Sequence, residues 1–240
     1  MTQVLTQQHP DVARPAAGKM AADGRIHFVR EDALFALEAV STMSRFCRNQ
    51  TIFNEGDDAR YSYKVVEGGV RLCKVRSDGR RQIAEFLLPG DMFGFEFGSE
   101  HSLTAEALCD VVVMRCPRNH VERLSEELPG VRHKLMSLLR RELSAAQDHL
   151  VMLGRQTAKE RVASFLLLLA ERRSDAGEGV ALDLPMGRQD IADYLGLTIE
   201  TVCRALTDLK RERLIAIPNR HQVMIRDLTA LEGVAEGGEE

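Results

Sequence analysis

The chain has 240 residues, 44% of them hydrophobic and 28% charged, with a net charge of −4. That length and balance suit one large or two medium soluble globular domains. No apolar run approaches the roughly 20 residues of a membrane span; the longest is Phe165–Ala170. A basic region followed by an apolar stretch, the mark of a secretory signal, is absent from the N-terminal segment, so a cytoplasmic location without membrane contact is expected. Residues 187–226 carry seven Lys/Arg and five Asp/Glu, net +2, which leaves −6 for the rest. A mildly positive end on an acidic body fits a sequence-specific nucleic-acid binder better than a non-specific coat.

Residues 1–25 are polar and contain Pro10 and Pro15, which predicts a flexible arm. Glu31–Val40 is a short helix candidate. From Gln50 to Arg118 the texture changes to short strand runs: TIF, YSYKVV, VRLCKV, RQIAEFLL, LTAEAL and DVVVMRC. Gly56, Gly68, Gly79 and Gly90 punctuate them at spacings of 12, 11 and 11. Turns at that interval between short strands predict a sandwich or jelly-roll barrel over residues 26–130, with Ser77-Asp78-Gly79 as a hairpin tip.

After Pro117 the pattern is helical. Asn119–Glu127 is a short helix broken at Pro129-Gly130, and a long helix follows over 131–155. Leu135, Leu139, Leu143, Ala146, Leu150 and Leu153 step along it by 4, 4, 3, 4 and 3, a heptad-like seam. A helix here could pack on its own β-domain, but a seam this narrow favours a two-stranded coiled coil and hence a homodimer. Thr157 then caps a helix over Ala158–Arg173, and Val180–Pro185 is a short strand.

Residues 187–213 are the most informative. Arg188–Leu195 has an apolar face at Ile191, Ala192 and Leu195. Gly196 supplies a tight turn, as a residue able to reach φ > 0 at no steric cost. Thr198 is an N-cap for a second helix, Ile199–Glu212. On it Val202, Leu206 and Leu209 form an inward stripe, so Glu200, Cys203, Arg204 and Thr207 face outward. This pattern is a helix-turn-helix, which inserts one short run of side chains into the major groove of DNA. Leu214–Ile217 and Gln222–Ile225, joined at Pro218-Asn219-Arg220, add a hairpin and complete a winged domain over 156–228. Residues 229–240 are acidic and Gly-rich and read as a disordered tail.

Glu200 and Arg204 are four apart and share one exposed helical face. Arg donates two bonds to guanine O6 and N7, and Glu accepts from cytosine N4, so the pair suits one G·C base pair. Each good bidentate contact is worth about 1–3 kcal/mol of discrimination. The plainer alternative, an i,i+4 helix salt bridge, is worth only about 0.2–0.5 kcal/mol.

The five cysteines, Cys47, Cys73, Cys109, Cys116 and Cys203, are scattered without a CxxC, which argues against a zinc or iron–sulfur knuckle. Cys73 and Cys109 read as small core residues. His27, His101, His120, His133, His149 and His221 are likewise scattered. No Cys–His pair, phosphate loop or paired carboxylates form a recognisable catalytic site. Neither an enzyme nor a metal protein is indicated.

An α+β chain with a β-roll, a long dimer helix and a winged helix-turn-helix resembles the CRP/FNR family of bacterial transcription regulators. The segments that carry the resemblance are GDDARYSYKVVEGGVRL, LLPGDMFGF, TAKERVASFLLLLAERR and DIADYLGLTIETVCRAL. The family implies a cyclic-nucleotide-binding-like β-roll, a homodimer on palindromic double-stranded DNA and contact with RNA polymerase, for which the hairpin Ser77–Arg81 is a candidate. The recognition helix, with Glu200, Thr201, Val202, Cys203 and Arg204, is similar to the E-x-x-S-R of the FNR/FixK type. The resemblance therefore implies a site near TTGAT-N4-ATCAA, contacted from Arg188, Thr198, Ile199, Glu200, Thr201, Cys203 and Arg204. Cys203 replaces the branch's usual Ser and is a poorer hydrogen-bond donor.

Three modes of control compete. FNR-type clusters need four thiolates, and residues 1–46 contain no Cys while Met114 stands where the fourth ligand is expected. A cyclic nucleotide needs a cation at its phosphate. The family's pocket resembles G-E-L followed by R-(ST)-A; here stand Gly94-Phe95-Glu96 and Leu103-Thr104-Ala105. Between Arg81 and Arg115 there is no Lys or Arg, but there are six acids: Glu85, Asp91, Glu96, Glu100, Glu106 and Asp110. That stretch should repel a phosphate. A FixK-like regulator, active without a small effector or cofactor, remains the leading expectation; a ligand in the β-roll, cyclic nucleotide or haem, is the alternative. Cys203, near a helix N-terminus and beside Arg204, is then the candidate redox switch.

Overall fold

The computed structural model describes residues 37–96, 98–172, 179 and 181–237. The expected arm 1–25 and most of the helix candidate Glu31–Val40 lie outside the described residues. Leu37, within that candidate, is buried against Cys116, Val121 and Val131.

Eight strands build the β-roll: β1 (Thr42–Phe46), β2 (Thr51–Phe53), β3 (Tyr61–Glu67), β4 (Val70–Val75), β5 (Arg81–Leu87), β6 (Met92–Phe93), β7 (Thr104–Ala107) and β8 (Val111–Pro117). They form two four-stranded antiparallel sheets, ordered β1-β8-β3-β6 and β2-β7-β4-β5. Strand residues alternate between faces, so Val65, Val70, Leu72, Val111 and Val113 point inward and meet Phe53, Tyr63 and Phe93 in one core. The four spaced glycines all adopt positive φ. Gly68, at +82°, also lies so close to the Asp110 carbonyl and Cys109 Sγ that no Cβ would fit. Cys73 is buried in β4, but Cys109 sits in the turn before β8 and is only half-buried, which corrects its expected core placement.

Helix α1 (Arg118–Glu127) leads through extended Leu128 into α2 (Pro129–Arg155). The short helix ends before Pro129 as expected, but α2 starts at Pro129 itself, two residues early, because a proline at the first helical position gives up an N–H that would be unpaired anyway. Next come α3 (Ala158–Glu171), β9 (Ala181–Asp183), α4 (Arg188–Leu195), α5 (Ile199–Arg211), β10 (Ile215–Asn219) and β11 (Gln222–Ile225). Thr157 and Glu160 close a reciprocal capping box on α3. Strands order as β10-β11-β9, the wing of the winged domain. The tail reading fails over its first part: Leu228–Ala235 is a helix, α6, capped by the Asp227 carboxylate, with Leu231 fully buried. The Gln156 side chain donates to the Ala235 carbonyl, which fixes its end.

One hydrophobic cluster runs through both halves of the chain. Cys73, Ile83, Phe86 and Leu108 of the β-roll join Phe165, Leu166, Tyr194, Leu195 and Leu209 of the helical half. Phe86 meets Phe165 edge-on at 6.0 Å and Tyr194 at 5.2 Å between ring centroids. The sheet β2-β7-β4-β5 is therefore the seat on which α3 and α4 rest.

Candidate nucleic-acid interface

Helices α4 and α5 are separated by a turn set by local chemistry. Gly196 closes α4 in the left-handed region, at φ +63°, which a Cβ would resist. Thr198 Oγ1 accepts the Thr201 N–H at 3.3 Å and lies 3.0 Å from the Thr201 hydroxyl, capping α5. Val202, Ala205, Leu206 and Leu209 are buried and fasten α5 to the body. Arg161 of α3, not singled out from the sequence, adds a brace. Its guanidinium donates to the carbonyls of Leu153, Gln156 and Leu195, so it ties the end of α2 to the end of α4. An arginine in a helix carries no local signal of partners 34 residues away.

The opposite face of α5 is open. Glu200, Cys203, Arg204 and Thr207 are exposed together, with Ile199 and Thr201 partly so at the N-terminal end. The Glu200 carboxylate turns to its own backbone N–H and to the Thr198 hydroxyl, and these hydrogen bonds hold its pKa below the ordinary value. It does not spend itself on a helical salt bridge with Arg204, so both groups remain exposed on one face of α5. Arg188, at the start of α4, is half-buried beside Cys203. Burial pulls its pKa down, with the Cys203 sulfur acting in the opposite sense, and Nη1 is buried without a hydrogen-bond partner. The wing tip Asn219–His221 is exposed nearby in sequence, its turn held by Asn219 accepting the His221 N–H.

Helix α2 presents an apolar stripe to solvent. Leu143, Leu150 and Val151 are 62%, 69% and 64% exposed, and Met136 is 48% exposed. Met136, Leu143 and Leu150 are seven apart, and Leu139, Ala146 and Leu153 fill the alternate positions of the heptad. The exposed stripe thus includes Met136. Leu135, its expected first member, turns inward to the Leu37–Cys116–Val121 cluster, because it stands one position off the heptad.

In the β-roll, the polar groups of the segment expected to hold a cyclic nucleotide are engaged within the chain. Leu103 stands where the phosphate-binding arginine would be, and the Thr104 hydroxyl already accepts the Glu55 N–H at 3.0 Å. Glu96 accepts from the backbone and hydroxyl of Ser102. The sequence reading of a cation-free acidic stretch needs correction, however. Arg118 of α1 reaches the Gly98 carbonyl, Arg172 pairs with Asp91 and Glu85, and Arg71 pairs with Glu106. Cations are present but committed to protein partners. Among the described residues no cluster of His, Cys, Asp and Glu could hold a metal, and no helix is long and apolar enough to cross a membrane.

A β-roll seated against a winged helix-turn-helix through a long helix defines a class of DNA-binding regulators whose N-terminal domain belongs to the cyclic-nucleotide-binding type. Residues 43–127 match the cyclic nucleotide-binding domain family and residues 160–234 the Crp-like helix-turn-helix domain. The chain is 45% identical to the nitrogen fixation regulation protein FixK of Azorhizobium caulinodans, over 80% of this chain and 79% of that one. It is 43% identical to the transcriptional activatory protein AadR of Rhodopseudomonas palustris, over 75% and 76%. The solved structure of FixK2 from Bradyrhizobium japonicum superposes with a TM-score of 0.77 at 42% identity, covering 81% of this chain and 97% of that one. The chain belongs to the CRP/FNR family of transcription regulators, and within it is similar to the FixK proteins.

Proposed function

We propose that this chain is a homodimeric transcription activator that reads a palindrome near TTGAT-N4-ATCAA without a small effector. Its genes would be those of low-oxygen, respiratory or nitrogen-fixation metabolism. The observation that carries this reading is the open face of α5, where Glu200 and Arg204 are side by side and not paired with each other. Arg204 donates to guanine and Glu200 accepts from the cytosine of the same base pair. The exposed stripe of α2 supports pairing with a second copy, and two-fold symmetry would then set two recognition helices about one helical turn of DNA apart. The names of the similar proteins, a nitrogen fixation regulator and an activator, support the physiological half. The exposed tip of the β4–β5 hairpin, Arg76–Arg80, is the surface offered to RNA polymerase; Arg81 at its base is engaged elsewhere.

Effector independence is supported by the occupied hydrogen-bonding groups at Glu96 and Thr104. Control then falls to Cys203, an exposed thiol on the reading face. Oxidation by peroxide to a sulfenic acid, with water released, would add bulk and polarity in the groove. The deciding experiment measures binding of aerobically purified protein, with no added ligand, to TTGAT-N4-ATCAA and to a probe whose G·C pairs are exchanged. Tight binding that the exchange weakens by tenfold or more is expected. Binding only after addition of cyclic nucleotide or haem, seen also by calorimetry, refutes effector independence.

A further inference from the structure

Two arginines of the β-roll grip the first helix of the helix-turn-helix. Arg71 of β4 and Arg81 at the start of β5 both point at α4. Asp190 Oδ1 accepts from Arg71 Nη1 at 2.9 Å and from Arg81 Nη2 at 2.8 Å. Asp193 Oδ2 accepts from Arg81 Nε at 2.9 Å. Glu106 of β7 backs the pair, accepting from Arg71 Nε at 2.8 Å, with Arg81 Nη1 3.7 Å away. Arg71 and Asp190 are buried, and the other members are mostly covered. Asp190 also caps α4, since its Oδ2 accepts the Gly187 N–H.

The partners are 109 to 119 residues apart in sequence, so the network spans two structural units. The apolar contact of Phe86 with Phe165 and Tyr194 glues the same interface, but hydrophobic contact is non-directional. A guanidinium–carboxylate hydrogen bond is directional, and buried ion pairs are best attested as devices of register. Here two arginines on one rigid sheet hold two carboxylates one helical turn apart on α4. That fixes both the position of α4 and its rotation about its own axis. Because α5 is tied to α4 through Gly196 and the shared core, its reading face is fixed as well, pointing away from the clamp and open to solvent.

We propose that Arg71 and Arg81 are positioning residues for DNA recognition, clamping Asp190 and Asp193 so that the β-roll presents the recognition helix in one orientation. No residue of the clamp touches DNA. Its effect is to remove the ordering cost that a loosely tethered domain would meet on specific binding. The inference rests on the chain's DNA binding and is independent of the particular palindrome and of effector independence.

The test uses the full-length protein and a duplex selected by the parent protein from a randomised pool. Affinity is measured for that duplex and for a scrambled one. Arg81→Met is expected to weaken binding to the selected duplex about tenfold and to leave scrambled binding within twofold, since phosphate contacts survive. The charge-swapped pair Arg81→Asp with Asp193→Arg is expected to recover at least half of the lost ratio, while Arg81→Asp alone does not. An Arg81→Met protein that melts cooperatively and keeps the parent's ratio of selected to scrambled affinity overturns the proposal. So does an equal loss on both duplexes, which would mean a purely structural role. Arg71→Met leaves Asp190 short of a buried partner and is expected to lower the melting temperature, so the decision rests on Arg81.

Discussion

Leu143→Ala with Leu150→Ala should separate the protomers without unfolding them. The two leucines are 62% and 69% exposed on the single chain. Fully burying a leucine contributes about 1.5–3 kcal/mol, so covering the exposed part contributes roughly 1–2 kcal/mol each. Two-fold symmetry counts every side chain twice, which gives ~4–8 kcal/mol from four leucines. Alanine retains the Cβ, so the loss is about 3–5 kcal/mol, or a dimer Kd raised between ~10²- and ~10⁴-fold. Sedimentation equilibrium across a concentration series reads this directly, and far-ultraviolet circular dichroism confirms that each chain stays folded. Leu135→Ala is the control. Leu135 packs within its own protomer, so its truncation should lower the melting temperature and leave the dimer Kd alone. A double variant with the parent's Kd would refute the assignment of this stripe to the interface, and a Leu135→Ala protein that dissociates would move the seam back by one residue.

Burial pushes the Glu85 carboxyl up to about 7, with Glu142 adding to the effect and Arg172 opposing it. The folded chain therefore keeps a proton that the unfolded chain, at its ordinary 4.5, has released. This group's contribution to stability is complete below about pH 4.5, falls as pH rises, and is lost above about 7. Glu85→Gln should then raise stability at pH 8 by ~2 kcal/mol and change little at pH 4; equal shifts in melting temperature at both pH values would contradict the buried-acid account. Thr198→Ala removes the cap that holds the Thr201 N–H and should cost about 1 kcal/mol in chemical denaturation. A loss near zero would mean that the Gly196 turn alone sets the start of α5. Cys203→Ser should keep DNA binding after peroxide treatment that abolishes the parent's, measured by fluorescence anisotropy; equal sensitivity of the two proteins places the oxidation elsewhere.

What was legible in the sequence is what local chemistry dictates. Helix α4 begins and ends where Arg188 and Leu195 predicted, because Gly196 can reach φ +63° and Thr198 can cap the next helix. The heptad stripe was visible for the same reason, since residues four and three apart share a helical face. Strand β1, TMSRF, was not legible. It is an edge strand whose Met43 and Arg45 face solvent, so no apolar run marks it. Helix α6 opens what reads as an acidic, Gly-rich tail; it is held by the Asp227 cap, by buried Leu231 and by Leu228, Ala230, Val234 and Ala235 packed on the core. Leu135, expected on the exposed stripe, packs against Leu37, Cys116 and Val121 of its own chain, a difference that periodicity along one helix does not encode.

The acidic stretch of the β-roll shows why counting charge along a sequence misleads about a site. Six carboxylates without an intervening cation read as a repulsive field for a phosphate. In the fold most of them are partners. Glu106 holds Arg71, Glu85 and Asp91 lie against Arg172, Asp110 accepts the Arg48 N–H, and Glu96 accepts from Ser102. Arginines arrive from β4 and from the end of α3, both distant in sequence. At short range in a partly buried setting such pairs cancel much of the field. The arginines at these carboxylates, Arg71 and Arg172, are thus paired within the chain, and the hydroxyl and carboxylate at Thr104 and Glu96 already have donors. The same commitment is what lets Arg71 and Arg81 reach across to Asp190 and Asp193. Two arginines of the β-roll thus spend their charge on the first helix of the helix-turn-helix, across 109 to 119 residues of sequence.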